Sequence, residues 1–353
     1  GVDLMGVYKD DKTASWFCKF YFKDWQGDRH QTTKRGFKTK RDALRWQADF
    51  IAKENRSMHI SFEAYVKIYF EDKKNKLKER TVYNKKYMID KHILPYFKNK
   101  KVDEVTSSDI IQWQNAMEEK GYSQTYLRMV QNQLTALYTH AAKIYGLKNP
   151  CVSVEKMGKS DADHIDFWTK EEYDRFISVV DKSDKYYVLF ELLFWTGIRI
   201  GEALALTISD FDFDRKELRI TKTYYRLERK DIITAPKTEN SIRSISMPDF
   251  LLEEVKDYYN RLYKYPRNER LFPVVPKAVE NKFKRDIEKA GVKRIRIHDL
   301  RHSHASYLID RGVDAMRIKE RLGHKDIKIT LNTYGHLYPN KQRELANMLD
   351  AAK

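Results

Sequence analysis

Two histidines, an arginine and a tyrosine recur at short, fixed offsets between His298 and Tyr334. The order is His298-Asp299-Leu300-Arg301-His302, then Leu322-Gly323-His324, then Asn332-Thr333-Tyr334. A phosphodiester passing through its transition state gathers negative charge on its non-bridging oxygens, and planar guanidinium forks match that geometry. Imidazoles donate hydrogen bonds or move protons. A tyrosine hydroxyl becomes a nucleophile where neighbouring cations stabilise the phenolate. One arginine is too few for a phosphate clamp, and a second occurs upstream in Thr196-Gly197-Ile198-Arg199-Ile200-Gly201-Glu202-Ala203-Leu204. Glu202, three residues on, can pair with Arg199, and an arginine oriented by a carboxylate is better placed for phosphate.

These groups need positioning elements. On a helix His298 and Arg301 share a face, with Leu300, Ala305, Leu308 and Ile309 at near-helical spacing to bury the other side. Gly323 ends a second helix, expected over 314–322, and leaves His324 on a loop. The stretch Thr330-Leu331-Asn332-Thr333 is too short and β-branched to read securely as helix.

Together the motifs T-G-I-R-I-G-E-A-L, H-D-L-R-H, L-G-H and the final tyrosine resemble the tyrosine recombinase (phage-type integrase) family, in that order and at that spacing, within residues 196–334. The resemblance implies that Arg199 and Arg301 clamp the scissile phosphate and that Tyr334 attacks it. It makes His298 an acid–base group near the attacking oxygen and His324 a hydrogen-bond donor to the phosphate. Lys237, in Ala235-Pro236-Lys237-Thr238, resembles the family's β-hairpin lysine, which protonates the departing 5′ hydroxyl; Lys222 and Lys230 are rivals on the same sheet. His302, His304 and His336 receive no role. The product is a 3′-phosphotyrosyl link, reversible without ATP, metal or cofactor.

At 353 residues the chain has room for two or three domains, and the expected class is α+β, mostly helical. A net charge of +17 and a pI near 9.4 point to a polyanion partner. The excess is +5, +7 and +5 over residues 1–56, 57–160 and 161–353, so it favours a protein that surrounds its partner. Two cysteines make no disulfide framework. No apolar run approaches the ~20 residues of a membrane span and no signal peptide is visible; a cytoplasmic, DNA-bound protein in a bacterial host is expected.

Residues 6–36 alternate as a three-stranded antiparallel sheet. Thr39 caps a helix through Lys53 with Ala43, Leu44, Ala48 and Ile51 buried. Residues 6–56 resemble an arm-type DNA-binding domain, with Lys19, Lys23, Arg29, Lys34 and Arg35 as phosphate contacts. Residues 57–150 read as all-helical and resemble the core-binding domain; Lys73, Lys74, Lys76, Lys78, Lys85 and Lys86 form its basic run. Asn149-Pro150 ends its last helix, 151–165 is a linker, and 166–353 is the catalytic domain. There Leu218-Arg219-Ile220 and Tyr224-Tyr225-Arg226 are expected to pair, followed by a hairpin arm over 232–245. The resemblance further implies core- and arm-type attachment sites and a homotetramer on DNA. It leaves room for a DNA-bending protein and an excisionase, and for a C-terminal tail packing on its own or a neighbouring subunit.

Three rivals compete. His298 and His302 at i, i+4 with an acid between them echo the H-E-x-x-H zinc helix, but Arg301 would set a cation beside the metal and Arg199, His324 and Tyr334 would go unexplained. A type IB topoisomerase and a non-catalytic regulator fit less of the chain. Cleavage of DNA is therefore expected to persist in excess chelator, and its loss there would restore the zinc reading.

Overall fold

The computed structural model describes residues 6–10, 13–23, 29–54, 59–159, 166–236 and 241–335. The chain divides into two compact units, Gly1–Ala162 and Asp163–Lys353. Helices dominate both, and the strands form small antiparallel sheets.

In the first unit, strands Gly6–Asp10, Ser15–Lys23 and Arg29–Phe37 form a sheet in chain order. Alternation sends Cys18 and Phe20 inward against the Lys40–Glu54 helix. Thr39 accepts from the Asp42 amide at 3.1 Å, as a cap should. Ala43 is buried, but Leu44 is 46% exposed, correcting its expected place. The packed stripe is Ala43, Trp46, Gln47 and Phe50, and the rings of Trp46 and Phe50 meet Phe20 at 6.2 and 5.7 Å. Leu44 lies a quarter-turn off that stripe. The side chains of Ala48 and Ile51 lie outside the described residues.

The helical part is built from Phe62–Lys73, Glu79–Met88, Ser107–Glu118 and Gln124–Tyr145. Phe62, Tyr65, Tyr69, Leu127, Val130, Leu134 and Leu137 are buried, as their spacing requires. The second helix starts at Glu79. The third is capped by Thr106 with Asp109 in a reciprocal box. The last ends at left-handed Gly146, before Asn149-Pro150. Between Met88 and Leu94 one turn widens to a π-helix, just ahead of Pro95, which has no N–H to give the preceding turn.

The second unit is organised around the helix Lys185–Thr196, apolar on nearly every side. Val188, Leu189, Phe190, Leu192, Leu193 and Phe194 are all buried, each contributing roughly 1.5–3 kcal/mol. Strand Glu217–Ile220 does not pair with Thr223–Leu227, as expected, but with Phe211–Asp212 and Arg243–Ser246. Thr223–Leu227 instead folds back on Lys230–Thr234. The cause is the Glu228-Arg229 turn, with both φ positive (47° and 66°), which closes a tight two-residue hairpin. The helices Asp249–Arg261, Pro276–Ala290, Asp299–Asp310, Ala315–Leu322 and Ile327–Tyr334 complete it. Among the described residues no helix is long and apolar enough to cross a membrane. Residues 336–353, including His336 and the tail, lie outside the described residues.

The Lys185–Thr196 helix ends at Gly197, with φ +65°. A Cβ there would lie 2.7 Å from His304 Cδ2 and 2.7 Å from Leu322 Cδ2, both buried neighbours, whereas Gly291 (φ +60°) has nothing within 4 Å. Gly197→Ala is expected to lower stability by more than the roughly 1–3 kcal/mol of left-handed strain, and Gly291→Ala by no more than that strain. Equal denaturation midpoints for the two variants would contradict this packing.

Candidate active site

Arg199 comes two residues after the Gly197 turn that ends a buried helix, and the chain immediately turns into the short helix Ile200–Ala203. That turn brings Glu202 back beneath it. The Arg199 amide donates to Glu202 Oε2 at 3.0 Å and its guanidinium to Oε1 at 2.8 Å. Arg243, from strand Arg243–Ser246, donates to the same carboxylate at 3.0 Å and to the Arg321 carbonyl at 2.9 Å. Glu202 is 3% exposed. Burial works to raise its pKa, but the charges of Arg243 and Arg199 outweigh it and hold the carboxyl below its usual range.

Arg301 sits one helical turn into Asp299–Asp310 and is buried. Its guanidinium donates to two main-chain carbonyls, Gly197 at 2.8 Å and Leu322 at 2.7 Å. Burial first, and the charge of Arg199 second, pull it down to about 9, which leaves it cationic at neutral pH. Two guanidinium groups, of Arg199 and Arg243, thus close on one carboxylate while Arg301 is held by main chain nearby, and the region has a standing attraction for an anion.

His298 is the residue ahead of the helix, exposed at its start; the protein packed around its ring, then His302 and Arg301, push its pKa down. His324 follows Gly323, whose φ of +68° closes the Ala315–Leu322 helix. Its Nδ1 is fixed by the Thr330 hydroxyl at 2.8 Å. Burial, then Arg301 and Arg199, lower it to about 3, so the ring is neutral at pH 7.

Tyr334 ends a true helix, Ile327–Tyr334, capped by Asp326. This corrects the doubt cast by its β-branched residues: Thr330 and Tyr334 bury one face, and packing overrides propensity. The phenol is 1% exposed and raised to about 12, by burial first, with Arg301 pulling it down and Asp299 pushing it up. Ionising it costs roughly 3 kcal/mol more than in water. Its hydroxyl lies 2.7 Å from His302 Nδ1.

Arg199, Glu202, His298, Arg301, His324 and Tyr334 all line one pocket of about 540 Å³. Lys237 lies outside the described residues; Pro236 and Ser241, on either side of that gap, line the same pocket. Of its rivals, Lys222 is held by Asp210 at 2.8 Å, and Lys230 is exposed at the start of its strand. Arg243 and His302 went unassigned in the sequence. Arg243 is hidden in a short alternating strand. The His302 signal, its offset of four from His298, had suggested only a metal. In the fold His302 meets Tyr334, and Asp299 is engaged by Arg296 at 2.8 Å.

The expected DNA contacts do not all point one way. Lys19 lies on the sheet face away from the helix, where Arg29 stacks on Tyr21 at 4.3 Å and Arg35 on Phe17 at 5.1 Å. Lys34 pairs with inward Cys18 and lies over Trp46 at 5.0 Å, on the helix side. The Lys23 side chain lies outside the described residues. Lys73 and Lys76 share a pocket of about 460 Å³ with Lys143. Lys74 pairs with Glu71 at 3.1 Å, and Lys78 and Lys86 are exposed. Lys85 is half-buried and donates to Gln133 at 2.8 Å, which turns it from an open phosphate contact into a packed one.

Comparison with known proteins bears on the family and the fold. Residues 166–341 match the phage integrase family, 61–117 its N-terminal SAM-like domain, and 7–53 an arm DNA-binding domain. The ICEBs1 integrase of Bacillus subtilis is 33% identical over 310 residues, covering 84% of each chain. The fold is similar to that of the Tn1549 transposon integrase solved with a circular-intermediate DNA (TM-score 0.71, 20% identity, 84% of this chain and 100% of that one). It is also similar to lambda integrase, solved as a tetramer on a Holliday junction (TM-score 0.59, 17% identity, 91% of this chain and 95% of that one). The chain belongs to the phage integrase family and is a tyrosine recombinase, an enzyme that cleaves and rejoins DNA.

The histidines give a pH signature. His324 titrates below the ordinary 6.5 in the folded state, so the unfolded chain binds the proton first as pH falls. Its contribution is intact above about 6.5 and is lost progressively toward pH 3. Glu202, also lowered, adds a loss of the same sign beneath the usual glutamate range. Unfolding free energy from urea titrations is expected to fall between pH 6.5 and 4, with a shallower fall in His324→Gln. A flat profile in the wild type would contradict the buried, neutral ring.

Proposed function

We propose that this chain integrates and excises a mobile DNA element, and that the pocket around Tyr334 is where each strand is cut. Tyr334 attacks the scissile phosphorus, the 5′ oxygen leaves with a proton from Lys237, and a 3′-phosphotyrosyl bond holds the strand. Arg199 and Arg301 bind the non-bridging oxygens, His324 donates to the phosphate, and His298 assists at the attacking oxygen. Catalysis then comes from preorganised positive charge and proton transfer, without a metal. The observation that supports this most is the shared pocket: a buried phenol beside Arg301, which is hydrogen-bonded to main chain and, among the described residues, to no carboxylate.

Residues 6–56 serve as the arm-type DNA-binding domain through the face bearing Lys19, Arg29 and Arg35. Residues 57–150 are the core-binding domain, 151–165 the linker and 166–353 the catalytic domain. The active form is a homotetramer on two attachment sites in the bacterial cytoplasm, with a DNA-bending protein and an excisionase as candidate helpers. Phosphate contacts by the lysines add salt dependence more than sequence choice.

Tyr334→Phe is expected to shift attachment-site DNA in native gels as the wild type does, yet give no covalent protein–DNA adduct in denaturing gels. An adduct from that variant would remove Tyr334 as the nucleophile.

A further inference from the structure

The buried phenol needs somewhere to send its proton, and three histidines, His298, His302 and His324, line the pocket. His302 is the one bonded to it: Nδ1 lies 2.7 Å from the Tyr334 hydroxyl, with ring centres 5.5 Å apart. The opposite nitrogen, Nε2, lies 4.0 Å from Asp299 Oδ1. Asp299 is 1% exposed and anchored by Arg296, whose amide donates at 2.7 Å and whose guanidinium donates at 2.8 Å. A carboxylate, an imidazole and a phenol therefore run in sequence from the Asp299–Asp310 helix to the end of the Ile327–Tyr334 helix. His298 meets His302 edge-on, with ring centres 5.4 Å apart.

We propose that His302 accepts the Tyr334 proton as the phenol attacks phosphorus, and that Asp299 favours the tautomer leaving Nδ1 open as acceptor. This rests on the reading of Tyr334 as nucleophile. In cleavage the O–H bond of Tyr334 breaks and its proton passes to Nδ1 while the phenol oxygen bonds to phosphorus. The bond from phosphorus to the 5′ oxygen breaks, and that oxygen takes a proton from a separate donor, Lys237 in the reading above. Rejoining reverses each transfer, with His302 returning the proton to the departing phenol.

The groups facing His302 set its poise. Asp299 favours the imidazolium; Arg301 and Arg296 oppose it, and His298 and His324 lie alongside. Burial first, and then those cations, keep the ring neutral before DNA arrives, and a neutral ring is what a base requires. A bound phosphodiester adds negative charge and so favours uptake of the proton.

The test is single-turnover adduct formation on a nicked attachment-site DNA, from pH 6.5 to 9. Wild type is expected to be flat above pH 7. His302→Gln should bind DNA normally in gel shifts but form adduct about a hundredfold or more slowly, with a rate that climbs with pH as the phenol ionises to solvent. A fluorinated tyrosine of lower pKa at position 334 should restore much of that rate and alter the wild type little. A purely structural role predicts no such rescue, so its absence overturns the proposal, as does a wild-type rate and profile in His302→Gln. A pH slope and rescue in His298→Gln instead would assign the proton to that ring. If glutamine impairs DNA binding, His302→Asn is read by the same rescue. Failure of the nucleophile reading is seen separately, as adduct from Tyr334→Phe.

Discussion

A single buried carboxylate, Glu202, fixes where the catalytic charge can be. Two arginines from different parts of the chain close on it, Arg199 at 2.8 Å and Arg243 at 3.0 Å. Removing it would leave the buried Arg243 without its carboxylate, the costly direction for a desolvated pair. Because Glu202 lies only three residues beyond Arg199, the short helix Ile200–Ala203 is what brings the carboxylate back beneath that guanidinium. Strand Arg243–Ser246, paired with Glu217–Ile220, brings the second arginine from the sheet. Sheet, buried helix and pocket are thereby locked to one another through one side chain.

Around that anchor the pocket separates cations that stay charged from groups kept neutral. Arg301 remains protonated even though burial and Arg199 work against it. The histidines are pushed the other way, and the phenol is kept protonated by burial. A phosphate backbone entering such a site meets positive charge that needs no rearrangement, and proton acceptors not already filled. The same low-dielectric surroundings that disfavour the phenolate strengthen its attraction to Arg301 once it forms.

Much of this was legible in the chain. Arg199, His298, Arg301, His324 and Tyr334 announce themselves by residue type and by the glycines beside them, because Gly197 and Gly323 mark the turns that set Arg199 and His324 in place. Tertiary pairings were harder. The Leu218–Ile220 segment was assigned its sequence neighbour as partner, when the Glu228-Arg229 turn had already closed Thr223–Leu227 on the following strand. Lys34 and Arg35 are adjacent, so in a strand they must face opposite ways, yet both were read as one set of contacts. Arg243 gave no signal because its meaning depends wholly on a carboxylate 41 residues away. The helix bearing Tyr334 was obscured because local propensity is weak there and burial of Thr330 and Tyr334 is strong.

Arg301 is gripped by carbonyl oxygens of Gly197 and Leu322 and, among the described residues, by no acidic side chain. Main-chain oxygens are present whatever amino acid occupies a position, so substitutions that preserve the backbone path leave the grip intact. What must be retained is the shape of two turns. Across divergent relatives, drift in the lining of this cavity can therefore be wide while its most deeply set cation keeps its aim.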